Sequence, residues 1–128
     1  MKKLILILLV AVSFASCKKT TEAITLLGKW EVDSYSENGT DKTTIFKASY
    51  TNYLLTFDAS NNYIETYTIA GVNVTNAGSW KMTNGGDDFE FTNQADNSKR
   101  FFHVIEINPA SASISEDGGT KEYHLLKK

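Results

Sequence analysis

The chain has 128 residues, 41% of them apolar and 22% charged, with a formal net charge of −2. That length suits one domain and excludes two, and the charged fraction lies below the range of disordered chains. Its 13 basic and 15 acidic residues are scattered rather than striped, a surface that repels phosphate backbones and excludes nucleic acid as a partner.

Met1-Lys2-Lys3 leads into the apolar run Leu4 to Val12, and the small residues Ser13, Ala15 and Ser16 then lead to Cys17. This is the order of a secretory signal. A spanning helix needs about 20 apolar residues, and Lys18-Lys19 interrupts the run before that, so the segment reads as removed rather than retained. The single cysteine of an exported chain has no partner for an internal disulfide. Phe14-Ala15-Ser16-Cys17 resembles the lipobox of bacterial lipoproteins, with Phe14 standing where that family usually has Leu. The resemblance, which extends to lipoproteins of the Bacteroides group, implies a signal peptide over 1–17 and lipid attachment at Cys17. Acyl chains such as palmitate would then hold the protein to the outer membrane of the cell envelope. At roughly 0.8 kcal/mol per CH₂, two or three chains make such residence effectively permanent. The acidic residues that mark surface export in that group are missing until Glu22, which favours the periplasmic face. Residues 18–25 open with charged, polar and small side chains without periodicity, and read as a tether to a domain over 26–128.

Turn signals then recur at Asn38-Gly39, Asn61-Asn62, Ala70-Gly71, Asn84-Gly85-Gly86-Asp87, Asp96-Asn97, Asn108-Pro109 and Asp117-Gly118-Gly119. Between them lie short segments rich in Tyr, Phe, Val, Ile and Thr, the pattern of about eight to nine hairpin-connected strands. Trp30 and Val32 share one face of the first segment, and Asp41 to Tyr50 is expected to be a brief helical turn or lid. Tyr53, Leu55 and Phe57 share a face, as do Phe89 and Phe91. The segment Phe101 to Ile107 is apolar on both faces at its start, as in a strand covered on both sides. Tyr123 and Leu125 form the last inward row.

Leu27-Gly28-Lys29-Trp30 resembles the Gly-x-Trp opening of lipocalins, and Gly78-Ser79-Trp80-Lys81 with the closing Glu122 to Lys127 resembles the short lipocalin-like domains of envelope lipoproteins. The resemblance covers 24–128 and implies an all-β fold: an antiparallel up-and-down β-barrel of about eight strands with Trp30 at its closed end. The arginine that packs over this tryptophan from the family's last strand has no counterpart in the closing segment, since Arg100 is the only arginine. The family's barrels hold a small hydrophobic ligand, which implies a lumen lined by Trp30, Phe57, Tyr67 and Trp80. An eight-stranded interior is also just wide enough for side chains to fill. Gly28 and Gly78, expected near strand starts, would open little space in its middle. A filled barrel would be an interaction module, docking an envelope protein partner on its outside.

No catalytic, metal or cofactor motif stands out. His103 and His124 lack a second ligand at metal-binding spacing. Strand parity turns His124 to solvent and groups His103 with Ile105 and Ile107, as a satisfied, partly buried histidine. Asp87-Asp88 read as turn residues, and Ser34, Ser36 and Ser79 have no nucleophile context. An enzyme is not expected.

Overall fold

The computed structural model describes residues 21–128, so the signal segment, Cys17 and residues 18–20 of the tether lie outside it. The turn residues divide the rest into strands, the anticipated turns falling between them except that Asn62 already opens a strand. They are β1 (Gly28–Glu37), β2 (Thr40–Asp41), β3 (Thr51–Phe57), β4 (Asn62–Ile69), β5 (Val72–Thr83), β6 (Asp88–Asn93), β7 (Lys99–Ile107), β8 (Ser111–Glu116) and β9 (Lys121–Lys127), with the helix α1 (Thr43–Ser49) before β3. Ala70 and Gly71 both have positive φ, 49° and 78°, as a two-residue loop needs to match the twist of the strands it joins.

From β3 to β9 each strand pairs antiparallel with the next, and β1 pairs with both β3 and β9. The result is a closed eight-stranded up-and-down barrel, with the two-residue β2 added on β1. Only Gly28–Trp30 of β1 pairs with β3. Beyond Trp30 the two strands diverge, and α1 packs against both and inserts the buried Phe46. A register shift between Val32 and Ser34 then brings Tyr35 inward with Val32.

The inward rows meet in one aromatic core. Phe57 lies edge-on to Trp80 at 5.2 Å, Tyr63 stacks on Phe91 at 3.9 Å and Phe89 stacks on Phe102 at 4.8 Å. Trp30 is fully buried, and its indole N–H donates to Leu26 O at 2.8 Å.

Four expectations change. Residues 21–26, of which 21–25 fall in the expected tether, are helical, because Ala23 and Leu26 pack against the core. The place of the missing arginine is taken by Lys127, whose Nζ lies 5.0 Å over the Trp30 ring and donates to Thr25 O at 2.9 Å. Gly78 sits in the interior of β5, since that strand begins at Val72. β7 is covered on one face only: Phe101 is 62% exposed, and His103 faces out with Nδ1 2.7 Å from Asp88 Oδ1. A register shift between Val104 and Glu106 explains this, because it turns Ile107 inward while Ile105 stays out, so parity counted back from Ile107 misassigns His103. His124 faces outward as parity requires, half-buried against Ser113 Oγ at 3.0 Å.

Candidate functional site

Each inward row changes character along its strand. On β4, Tyr63 lies in the core and is followed on the same face by Glu65 and Tyr67; on β8, Ala112 and Ile114 are followed by Glu116; on β7, Arg100 precedes Phe102. The apolar ends of these rows fill one end of the barrel. Their polar ends surround an open cavity of about 680 Å³ at the other.

Five tyrosines line this cup: Tyr35 from β1, Tyr50 at the end of α1, Tyr53 from β3, Tyr67 from β4 and Tyr123 from β9, with Phe46 among them. Tyr53 and Tyr67 are stacked at 6.0 Å, Tyr50 stands edge-on to Tyr67 at 5.2 Å, and Tyr35 lies 5.0 Å from Tyr123. Glu37, Lys42 and Lys121 also line the cavity.

Arg100 lies between two buried carboxylates, Glu65 and Glu116. Its Nη1 lies 3.1 Å from each oxygen of Glu65, while Nε and Nη2 donate to Oε1 and Oε2 of Glu116 at 3.3 and 2.8 Å. The Asn76 amide donates to Glu65 Oε1 at 3.0 Å, and the Tyr53 hydroxyl donates to Glu65 Oε2. The guanidinium rests on the core, its Cζ 5.0 Å from the Phe102 ring centre and 6.0 Å from that of Phe91. Burial opposes the charge on Arg100, but the hydrogen bonds to Glu116 and the charges of Glu65 and Glu116 outweigh it and raise its pKa. Burial, reinforced by the Glu65 charge, pushes the Tyr53 hydroxyl well above the usual tyrosine range, and burial with the Glu116 charge does the same for Tyr123. Both hydroxyls therefore remain protonated donors at neutral pH.

Residues 26–111 match the model of a family described as a lipocalin-like domain. The chain belongs to the lipocalin-like domain family. Among curated protein sequences no match was found.

Of the four side chains expected to line a ligand space in this lipocalin-like barrel, Tyr67 lines the cup. Trp30, Phe57 and Trp80 are buried in the packed end instead, so the four are not brought together around one space. The sequence reading passed over Glu65, Arg100 and Glu116. Their signal was a charged residue at an inward position: Glu65 between Tyr63 and Tyr67, Arg100 two before Phe102, and Glu116 two after Ile114. The packed end makes one expectation specific. Trp80→Ala should cost about 3–5 kcal/mol in urea unfolding, whereas Trp80→Phe should cost much less, because the Trp80 indole N–H has no hydrogen-bond partner among the described residues. Equal losses for the two variants would contradict this packing.

Proposed function

We propose that this lipocalin-like protein is a cell-envelope lipoprotein, not an enzyme, that binds a small molecule in its tyrosine-walled cup. The supporting observation is the cavity itself. Its volume of about 680 Å³ falls within the roughly 300–1,000 Å³ of small-molecule sites, and it combines aromatic walls with a few convergent polar groups, as such sites do. The aromatic packing at the other end leaves the cup as the space for a ligand. A purely hydrophobic guest would strip water from Arg100, Glu65 and Glu116 without replacing its hydrogen bonds. The ligand therefore combines an aromatic or apolar body with a polar group. Calorimetric titration with amphiphiles of each charge type tests this reading. Tyr67→Ala, on the half-buried wall, should weaken binding about tenfold, the scale of one lost aromatic contact, and cost about 1–3 kcal/mol in unfolding through its lost contacts with Tyr50 and Tyr53, so that binding is compared on the folded variant. Unaltered affinity would refute the cup as the site.

We further propose anchoring through Cys17, at the periplasmic face of the outer membrane. Cys17→Ser is expected to abolish fatty-acid labelling and release the protein from the membrane fraction; continued membrane association would indicate a retained leader instead. The four residue-to-residue steps from Cys17 to Thr21 reach at most about 14 Å, and residues 21–26 lead into β1 at the packed end. On this reading the packed end faces the bilayer and the mouth of the cup faces the aqueous space.

A second reading, an envelope protein docking on the outer wall, draws on Phe101 and Ile105 of β7, 62% and 49% exposed. Loss of a cross-linked partner in Phe101→Ser with cup binding intact would favour it.

A further inference from the structure

The ligand class can be narrowed from the charge and aromatic content of the cup, an inference that rests on the cup being the binding site. We infer that it selects a small organic cation, a protonated amine or a quaternary ammonium group.

The buried charges at the base of the cup do not balance. Glu65 and Glu116 are 4% and 7% exposed, and one guanidinium lies between them, which leaves one negative charge in excess. Around the rest of the cavity, Lys121 stands opposite Glu116 in the β8–β9 ladder, but its ammonium is held 3.2 Å from Asp117, and Lys42 and Glu37 cancel in number. At the base an anion finds no open partner, because Arg100 is already closed in on both sides by carboxylates, and it would meet positive charge only at Lys42 and Lys121 on the walls. A neutral guest would displace water from an excess charge and return at most a hydrogen bond, with no countercharge. A cation supplies the missing charge.

Two further features fit a cation. Each oxygen of Glu116 accepts one hydrogen bond, from Arg100, among the described residues, whereas those of Glu65 also take Asn76 and Tyr53. Glu116 thus keeps acceptor capacity beside the cavity it lines. Tyr50, Tyr53 and Tyr67 line the walls, and aromatic ring faces carry the negative quadrupole that attracts ammonium groups.

The test uses the full chain in nonionic detergent and three probes of one shape: choline, its uncharged isostere neohexanol, and the anion tert-butylacetate, each titrated by calorimetry. Choline is expected to bind at least about tenfold more tightly than neohexanol, and tert-butylacetate most weakly. Glu116→Gln should bring choline affinity down to that of neohexanol. Should that variant not fold, Tyr67→Leu, which leaves the ion cluster intact, should reduce choline affinity roughly 3- to 30-fold. Equal binding of choline and neohexanol overturns the cation inference while upholding the cup as a site. Tighter binding of tert-butylacetate overturns it as well. Absence of choline binding also overturns it, and the wider amphiphile titration then decides on the cup separately. Sedimentation with phosphatidylcholine vesicles in the absence of detergent, using Cys17→Ser so that no acyl anchor contributes, distinguishes a lipid headgroup from a free amine as the source; free choline binding, or vesicle binding that added choline displaces, supports the inference, and vesicle binding that choline does not displace counts against the headgroup.

Discussion

Gly78→Ala is expected to destabilise the barrel by more than about 4 kcal/mol or to prevent folding, a loss outside the ordinary range of point substitutions. A methyl group at this position would stand 1.9 Å from Thr92 O, 2.9 Å from Thr92 C and 3.1 Å from Asn93 Cα. All three are backbone atoms, so no side-chain rotation relieves the contact. β5 and β6 would have to separate where Gly78 pairs with Asn93, and that ladder continues through Trp80–Phe91 and Met82–Phe89 in the core. The Tyr63–Phe91 stack bridges β4 and β6 beside the same glycine. Gly39→Ala is the matched control: it has positive φ but open space around it, so it should lose only about 1–2 kcal/mol from backbone conformation. Urea unfolding of the two variants measures the difference, and similar midpoints would contradict the close approach of β5 and β6.

Arg100→Met should cost about 3 kcal/mol, because it leaves Glu65 and Glu116 buried without their cation. The figure is the low end of the range for broken buried pairs, since the Arg100 side chain is 35% exposed and water screens part of the effect. Replacing the whole cluster, with Arg100→Met, Glu65→Leu and Glu116→Leu together, should restore native stability or exceed it by about 1–4 kcal/mol, as apolar substitution of buried ion clusters often does. The triple variant is then expected to lose ligand binding in the cup. Such an outcome would show that the cluster is kept for what it binds and not for the fold. If the triple variant were as unstable as Arg100→Met, the cluster would be structural.

Much of the barrel was legible in the sequence because its signals are local. Asn and Gly at the turns tolerate positive φ wherever they occur, and alternation of side chains marks the inward row of a strand before any partner is known. Trp30 with Val32, Tyr53 with Leu55 and Phe57, and Phe89 with Phe91 keep the faces that alternation assigned them. His103 shows where that reasoning stops: a register shift inserts one residue and reverses parity, and its position depends on the neighbouring strand.

The site was less legible, for a related reason. Alternation distinguishes inside from outside, but it does not say how far along the barrel an inward residue lies, so aromatic side chains of the packed end and of the cup looked alike. Trp80 and Tyr67 were read as neighbours on one lining, although only Tyr67 lines the open cavity.

By itself, then, the sequence determined the strands, the turns and the inward facing of Trp30, because these depend on residues a few positions apart. Closure of the barrel decided the rest. It brings Arg100 against Glu65, 35 residues away, and against Glu116, 16 residues away, and it sets Lys127 beside Thr25 across 102 residues. These contacts require every intervening strand to pair in register, so the ion cluster and the cup above it are properties of the closed sheet that no single segment of the chain specifies.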